Sequence, residues 1–215
     1  MTPADLLARA HRRDPARPFL TWYDATARVE LSVATTTNWA AKVAGWLLDE
    51  HDVEPGTEIG VRPDVHWGTA VILLGIWTAG GAVSEAAAVV VPDPLDPMGM
   101  TLSRLVGAQP DHYAGPPADP AAPALRLGDR LWSHEQLATA AEAGARDHGL
   151  GPDSRVLSTL DYASVPGLDA GLLVPLAAGG SVVLVADGND LAQRCAVERV
   201  THTAGVTVEP LPRLA

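Results

Sequence analysis

Apolar and polar positions in this chain fall into two successive series of the same form. In the first, Pro15 to Pro18 leads into strands at Phe19 to Tyr23 and Arg28 to Leu31, and Ser32 opens a helix over 32–50. In the second, Pro120 to Pro123 leads into Ala124 to Leu127 and Arg130 to Trp132, and Ser133 opens a helix over 133–148. Gln136 completes a capping box with Ser133. Each helix gives way to a Gly/Pro turn and a short apolar strand, Glu58 to Val61 and Arg155 to Ser158. An apolar helix follows in both series, closing at Gly80-Gly81 and at Gly179-Gly180, where glycine suits a left-handed helix end. Strands at Ala82 to Ser84 and Ser181 to Val185 complete the pattern.

Strand, helix, strand with apolar strands means parallel pairing. The pattern therefore predicts an α/β fold of three layers, with mostly parallel sheets, helices on both faces and two pseudo-symmetric repeats. It predicts a single unit over 1–215: repeat one at about 15–91, a Pro/Gly-rich crossing at 92–119, repeat two at about 120–187, and a C-terminal helix and tail at 188–215. A short helix is expected over 98–107, a last helix over 190–199 and a weak strand around 205–208.

Composition narrows the function classes. A net charge of -11 disfavours nucleic acid and anionic membrane surfaces, which call for concentrated Lys and Arg. The single Cys195 cannot form an internal disulfide and reads as a half-buried helix cysteine, in keeping with a reducing, cytoplasmic setting. The opening 18 residues carry charges and no apolar run, so no signal peptide is expected. Glycines, Ser84 and Glu85 interrupt the apolar stretch from Trp67 to Val91, which reads as a buried helix and strand, not a membrane span. Lys42 is the only lysine against fourteen arginines.

The strings PFLTWYD, RVELS, NWAAKVAGWLLDE, EPGTEIGV and HWGTAVILLGIWTAGGAV resemble, in order and spacing, the opening of the acyl-adenylate-forming (AMP-binding, acyl-CoA synthetase-like) enzymes. The resemblance continues through RLWSHEQL and the stretch from Ser154 to Ala186. It is closer still to a small actinobacterial family that keeps this opening part alone. It implies the N-terminal portion of that fold, and it implies a Ser/Thr/Gly-rich phosphate loop ending in Lys-Gly just ahead of Ser133-His134. Such loops hold phosphate through backbone N–H groups, hydroxyls and a lysine. The chain instead has two short strands about Gly128-Asp129, the signature of a tight hairpin. Lys42 lies in the first long helix and matches neither the loop lysine nor the lid lysine of those enzymes. The adenine- and ribose-binding motifs have no counterpart, so adenylation is not expected.

In parallel sheets, ligands sit beyond the C-terminal ends of strands. The candidate binding residues there are Asp64, His66 and Trp67 after one strand, and Asp161 and Tyr162 after its counterpart. The same residues have a structural reading: Asp64 capping the helix that follows, His66 beside that helix end, Tyr162 covering the core. His134, after a capping serine, is expected to face solvent. The seven histidines show no metal-ligand spacing, no serine sits in a nucleophile elbow, and the six tryptophans read as core. No catalytic residue, metal or cofactor is expected. Three functions stay open: a non-catalytic protein acting through a partner, a second copy of itself included; a small-ligand module for acyl or CoA-like molecules; and a divergent enzyme built on Asp64, His66, Asp161 and Tyr162.

Overall fold

A computed structural model describes residues 1–85, 87, 89–91 and 100–214. The chain begins with α1 (Pro3–Arg13), followed by the hairpin β1 (Pro18–Tyr23) and β2 (Arg28–Ser32), then α2 (Val33–His51). Next come β3 (Glu58–Gly60), α3 (Trp67–Thr78), β4 (Ala82–Ser84), β5 (Val89–Val90) and α4 (Met100–Val106). A second hairpin, β6 (Pro123–Leu127) and β7 (Arg130–Ser133), leads into α5 (His134–Asp147) and β8 (Arg155–Ser158). The chain then runs through α6 (Val165–Leu168), a π-helical turn (Asp169–Leu173) and α7 (Val174–Ala178) into β9 (Ser181–Val185). It ends with α8 (Leu191–Val197) and β10 (His202–Ala204).

Two five-stranded sheets result, ordered β10-β8-β9-β1-β2 and β5-β3-β4-β6-β7. Every pairing is parallel except within the two hairpins, and both hairpins carry a register shift just after their leading proline, at Pro18/Leu20 and Pro123/Leu125. The strand orders match element for element, but each sheet takes its hairpin from one half of the chain and its parallel strands from the other. The halves are thus interlocked and do not form separate lobes. Leu20 pairs with Val182 across the first sheet and Val83 with Leu125 across the second, so neither half completes a sheet alone.

Helix α3 lies between the two sheets. Every residue of α3 from Trp67 to Trp77 is buried, and α3 touches β1 of one sheet and β4 of the other. A helix enclosed on all sides has no polar face, which is why this stretch is apolar throughout. Leu20, Trp22, Val182 and Leu184 of the first sheet and Ile59, Val83 and Leu125 of the second join one core with the helices. The opposite face of the first sheet, Leu157, Val183 and Val185, forms a smaller cluster under Cys195 of α8 and Val206, Val208 and Leu211 of the tail. That alternation is the period-two signature of strands buried on both faces.

Caps fall where the sequence places them. Ser32 accepts from Thr35 N at 3.1 Å, and Ser133 and Gln136 form the reciprocal capping box. Gly80 (φ +82°) and Gly179 (φ +69°) end the apolar helices in the left-handed region. Helix α1 was not anticipated as an element. Its Thr2–Asp5 capping box and its buried Pro3, Leu6 and Leu7, spaced i, i+3, i+4 for one face, are the signals that mark it. The short helix of the crossing spans 100–106, and positions 98–99 lie outside the described residues. The last strand lies earlier than 205–208: β10 ends at Ala204 because Gly205 turns the chain at φ +74°.

Candidate functional site

The two loops singled out from the sequence do meet. Tyr162 N, after β8, donates to the carbonyl of Pro63, after β3, at 2.6 Å. The Trp22 indole donates to the Val65 carbonyl at 2.8 Å, fixing the first loop to the sheet that carries the second. The matched strands therefore end on one side of the molecule, as their common topology requires.

The side chains on those loops part company. His66 is buried; it is the N-cap of α3, its Nδ1 accepting from Gly68 N at 3.0 Å, and its ring stands edge-on to Trp22 with centroids 4.5 Å apart. The cap is thus His66 and not Asp64. Asp64 sits at the surface with Arg62 at 2.9 Å. Trp67 is buried with Trp39 at 5.8 Å. Tyr162 is buried, donates to the Gly171 carbonyl at 3.2 Å, and burial pushes its phenol far above the usual range. Asp161 is exposed and folds back to accept from Ala163 N at 3.1 Å. Three of the five candidates are core residues and two are turn carboxylates. They share a rim, with His66, Trp67 and Tyr162 buried and the two carboxylates at the surface. The helix after the second loop is capped by Ser164, which accepts from Gly167 N at 3.3 Å.

At the position of the phosphate loop, Leu127 pairs with Arg130 across a two-residue turn. Gly128 takes φ +55° while Asp129 stays at negative φ, a combination that fits a type II′ hairpin. The Arg130 guanidinium stacks on the Trp132 ring, 4.5 Å from its centroid. Two residues cannot wrap a phosphate chain with backbone N–H groups. Lys42 is engaged elsewhere: its ammonium meets Asp111 at 2.9 Å and the Gln109 carbonyl, tying the crossing to α2.

His134 is fully buried, contrary to the expectation of solvent exposure. The first residue of α5 is clamped beneath the strand leader, its N donating to the Ala122 carbonyl at 3.1 Å. Burial pushes its imidazole below the usual 6.5, and the Gly80 backbone lies near the ring without hydrogen-bond geometry. Cys195 is buried with its thiol pushed up by burial, an unreactive setting. Among the described residues, no group of three or more His, Cys, Asp or Glu could hold a metal ion, and no helix is long and apolar enough to cross a membrane. A cavity of about 450 Å³ lies away from the rim, between α1, α2 and residues 111–118. Sequence reasoning missed it because it depends on α1 and on how the crossing returns over α2.

The fold is that of the N-terminal portion of AMP-binding, acyl-CoA synthetase-like ligases. Apo MatB from Rhodopseudomonas palustris superposes with a TM-score of 0.79 at 20% identity, over 96% of this chain and 49% of that one. A fatty acyl-adenylate ligase from L. pneumophila, in complex with acyl adenylate and pyrophosphate, superposes at 0.76 and 13% identity, over 95% and 44%. The chain thus spans about half the length of these solved structures. No family profile matches it. A TIGR03089 family protein of Mycobacterium tuberculosis is 35% identical over 236 aligned positions, covering 89% of this chain and 93% of that protein. The chain belongs to the TIGR03089 family.

Proposed function

We propose that this chain does not adenylate a substrate and works by binding, on a fold shared with the N-terminal portion of AMP-binding ligases. The observation that carries the reading is the Gly128-Asp129 hairpin, which stands where the resemblance calls for a phosphate loop. Anion loops work through several backbone N–H groups converging on one centre, and a two-residue turn between paired strands commits its neighbours' N–H groups to the ladder. The rim supports the reading as well. His66 and Tyr162 are spent on a helix cap and a core hydrogen bond, Asp64 is paired with Arg62, and Asp161 folds back on its own loop. Exposed large hydrophobics among the described residues are Met1, Leu131 and Val197, set apart on the chain start, the second hairpin and α8, which favours a small molecule over a broad protein interface.

Isothermal titration with Mg·ATP tests this directly. The expected result is no heat of binding up to millimolar nucleotide. Micromolar affinity would overturn the reading.

A further inference from the structure

We infer that a cavity between the last turn of α5, the π turn and Leu214 is a binding site for a small organic ammonium, a compact apolar body with one cationic head, and that the Asp169 carboxylate is its counter-ion. The inference rests on the reading of the chain as a binding protein and adds a location and a ligand class to it. The cavity measures about 230 Å³. An apolar cavity of ~150 Å³ holds benzene, so this one suits a molecule of roughly eight heavy atoms. Pro166, Ala170, Val174 and Leu214 make its apolar wall. Gly144 and His148, four residues apart on one face of α5, close another side.

Asp169 stands in that wall without a task in the fold. It is the first residue of the π turn, it is half-buried, and its carboxylate makes no hydrogen bond or ion pair among the described residues. Its oxygens are not among the sealed, partnerless polar atoms of the protein, so they stay reachable from the cavity. Burial pushes the carboxyl up to about 6, and no neighbouring charge acts on it in either direction. A carboxylate held among apolar side chains with no cation of its own calls for one. π turns within helices are also frequent at functional sites.

The surroundings favour a cationic head. The C-terminal end of α5 reaches the cavity through Gly144 and the cap residue His148, and that end of a helix carries partial negative charge. Fixed positive charge is turned elsewhere. Arg146 lies two residues from both Gly144 and His148, on a different face of α5. Thr203 N donates to the Pro212 carbonyl at 2.9 Å and Leu214 N to the Thr203 carbonyl at 2.8 Å, a strand-like pairing that sends Arg213 and Leu214 to opposite faces. Helices α6 and α7 and the rest of the π turn carry no charged residue. His202 lies against the His148 backbone, and burial pushes its imidazole below the usual 6.5, which keeps it neutral at pH 8. His148 is the other titratable group in the lining, so the test separates it from Asp169.

Calorimetry and thermal shift with benzylamine, benzyl alcohol and benzoate at pH 8 test the site. Benzylamine, cationic at that pH, should bind saturably and raise Tm by about 5–10 °C at a hundredfold excess over Kd. Benzyl alcohol should bind at least about tenfold more weakly, and benzoate more weakly still. Asp169→Asn keeps the shape and removes the charge, and should bring benzylamine and benzyl alcohol within about threefold of each other. Benzylamine affinity should fall about tenfold from pH 8 to pH 5 as Asp169 takes up a proton, in the parent and in His148→Gln but not in Asp169→Asn. The proposal is overturned if benzylamine does not bind saturably below about 10 mM, if benzyl alcohol or benzoate matches it, or if Asp169→Asn binds it as the parent does. A pH series that is flat in the parent, or that loses its slope in His148→Gln, overturns it too. Should Asp169→Asn fail to fold, the three probes and the pH series in the parent and His148→Gln still decide. Mg·ATP binding alongside these results would defeat the proposed function alone, whereas silent probes without nucleotide binding would defeat only the cavity.

Discussion

The helix crossings of the two halves solve one packing problem with the roles reversed. In the first half, α3 supplies the glycine: a carbon added to Gly75 would lie 2.5 Å from Cβ and Cγ1 of Val43 on α2. In the second half, the first helix supplies it: a carbon on Gly144 of α5 would lie 3.0 Å from Cγ2 of Val174 on α7. Each crossing needs one glycine facing one valine, and either helix can carry it. The second helices differ as well. α3 is continuous, whereas its counterpart breaks into α6, a π turn and α7 around Pro175. A proline ring clashes with the carbonyl four residues earlier, and widening to a π turn removes that clash.

The outer faces of the sheets diverge further, and there the largest effect is expected. Matched strand starts carry Arg155 on β8 and Glu58 on β3. Arg155 is covered: its guanidinium reaches Glu198 after α8, Thr21 at 2.8 Å and Ser181 at 3.1 Å, and Glu198 also accepts from Tyr23 at 2.5 Å and Arg28 at 3.0 Å. Glu58 meets Arg126 at 2.6 Å with both side chains a third exposed. Glu198→Ala should therefore cost about 3 kcal/mol, because it takes the carboxylate from the largely covered Arg155 guanidinium. Glu58→Ala should leave Tm nearly unchanged. Burial alone would push Glu198 up, but hydrogen bonds from Tyr23, Arg28 and Arg155 outweigh it and hold the carboxyl at about 2 against the usual 4.5. A carboxyl lowered on folding stabilises fully above its unfolded value. That contribution should be lost as pH falls from about 4.5 towards 2, and denaturant melts of the parent and Glu198→Ala across this window check it. Equal Tm losses for the two variants would break the contrast between covered and open faces.

The reversed crossings give the next effect. Gly75→Ala should cost about 2–3 kcal/mol, since Val43 and the Ala40 carbonyl, at 3.0 Å, hem the position in and backbone cannot yield cheaply. Gly144→Ala should fall within about 1 kcal/mol of neutral, the gain in helix propensity offsetting a milder contact. Urea unfolding of both variants orders them. If Gly144→Ala proves the more damaging, the second crossing is the tighter one and the comparison is inverted.

Much of this was legible in the chain. Ser32, Ser133 with Gln136, and the glycine pairs after each apolar helix mark element ends through local chemistry, and local chemistry is written in sequence. The exchange of hairpins between sheets was not legible, because strand partners are chosen by tertiary packing that no local pattern records. The rim illustrates the same divide. That the loops after β3 and β8 would meet followed from matched topology. Tyr162 covers the core, as its structural reading has it, whereas the burial of His66 depended on Trp22, which reaches the loop from elsewhere in the fold. The cavity beside His11 and Tyr113 left no sequence signal beyond a run of alanines.

The smallest effect concerns the residue that opens each long helix. Val33 follows Ser32 and His134 follows Ser133; both are buried, and both N–H groups bond to the strand leader, Val33 to Arg17 at 2.9 Å and His134 to Ala122 at 3.1 Å. The environments match and the residues do not. Valine satisfies a dry position outright, whereas the imidazole leaves both ring nitrogens without a partner. His134→Val copies the first half into the second. The two side chains are close in volume, so the cavity cost is small, and removing unpaired polar atoms should raise stability by about 1–2 kcal/mol. For a domain of this size, that is about 2–8 °C in Tm. The pH dependence adds a signature. A histidine whose folded pKa lies below 6.5 binds its proton more readily when unfolded, so the parent should lose stability as pH falls from 6.5 towards the folded value. The variant should lack that slope. A variant less stable than the parent would mean that His134 is held by interactions the first half has no need of, and that the two helix starts are alike in place only; a slope that survives in the variant would assign it to another group.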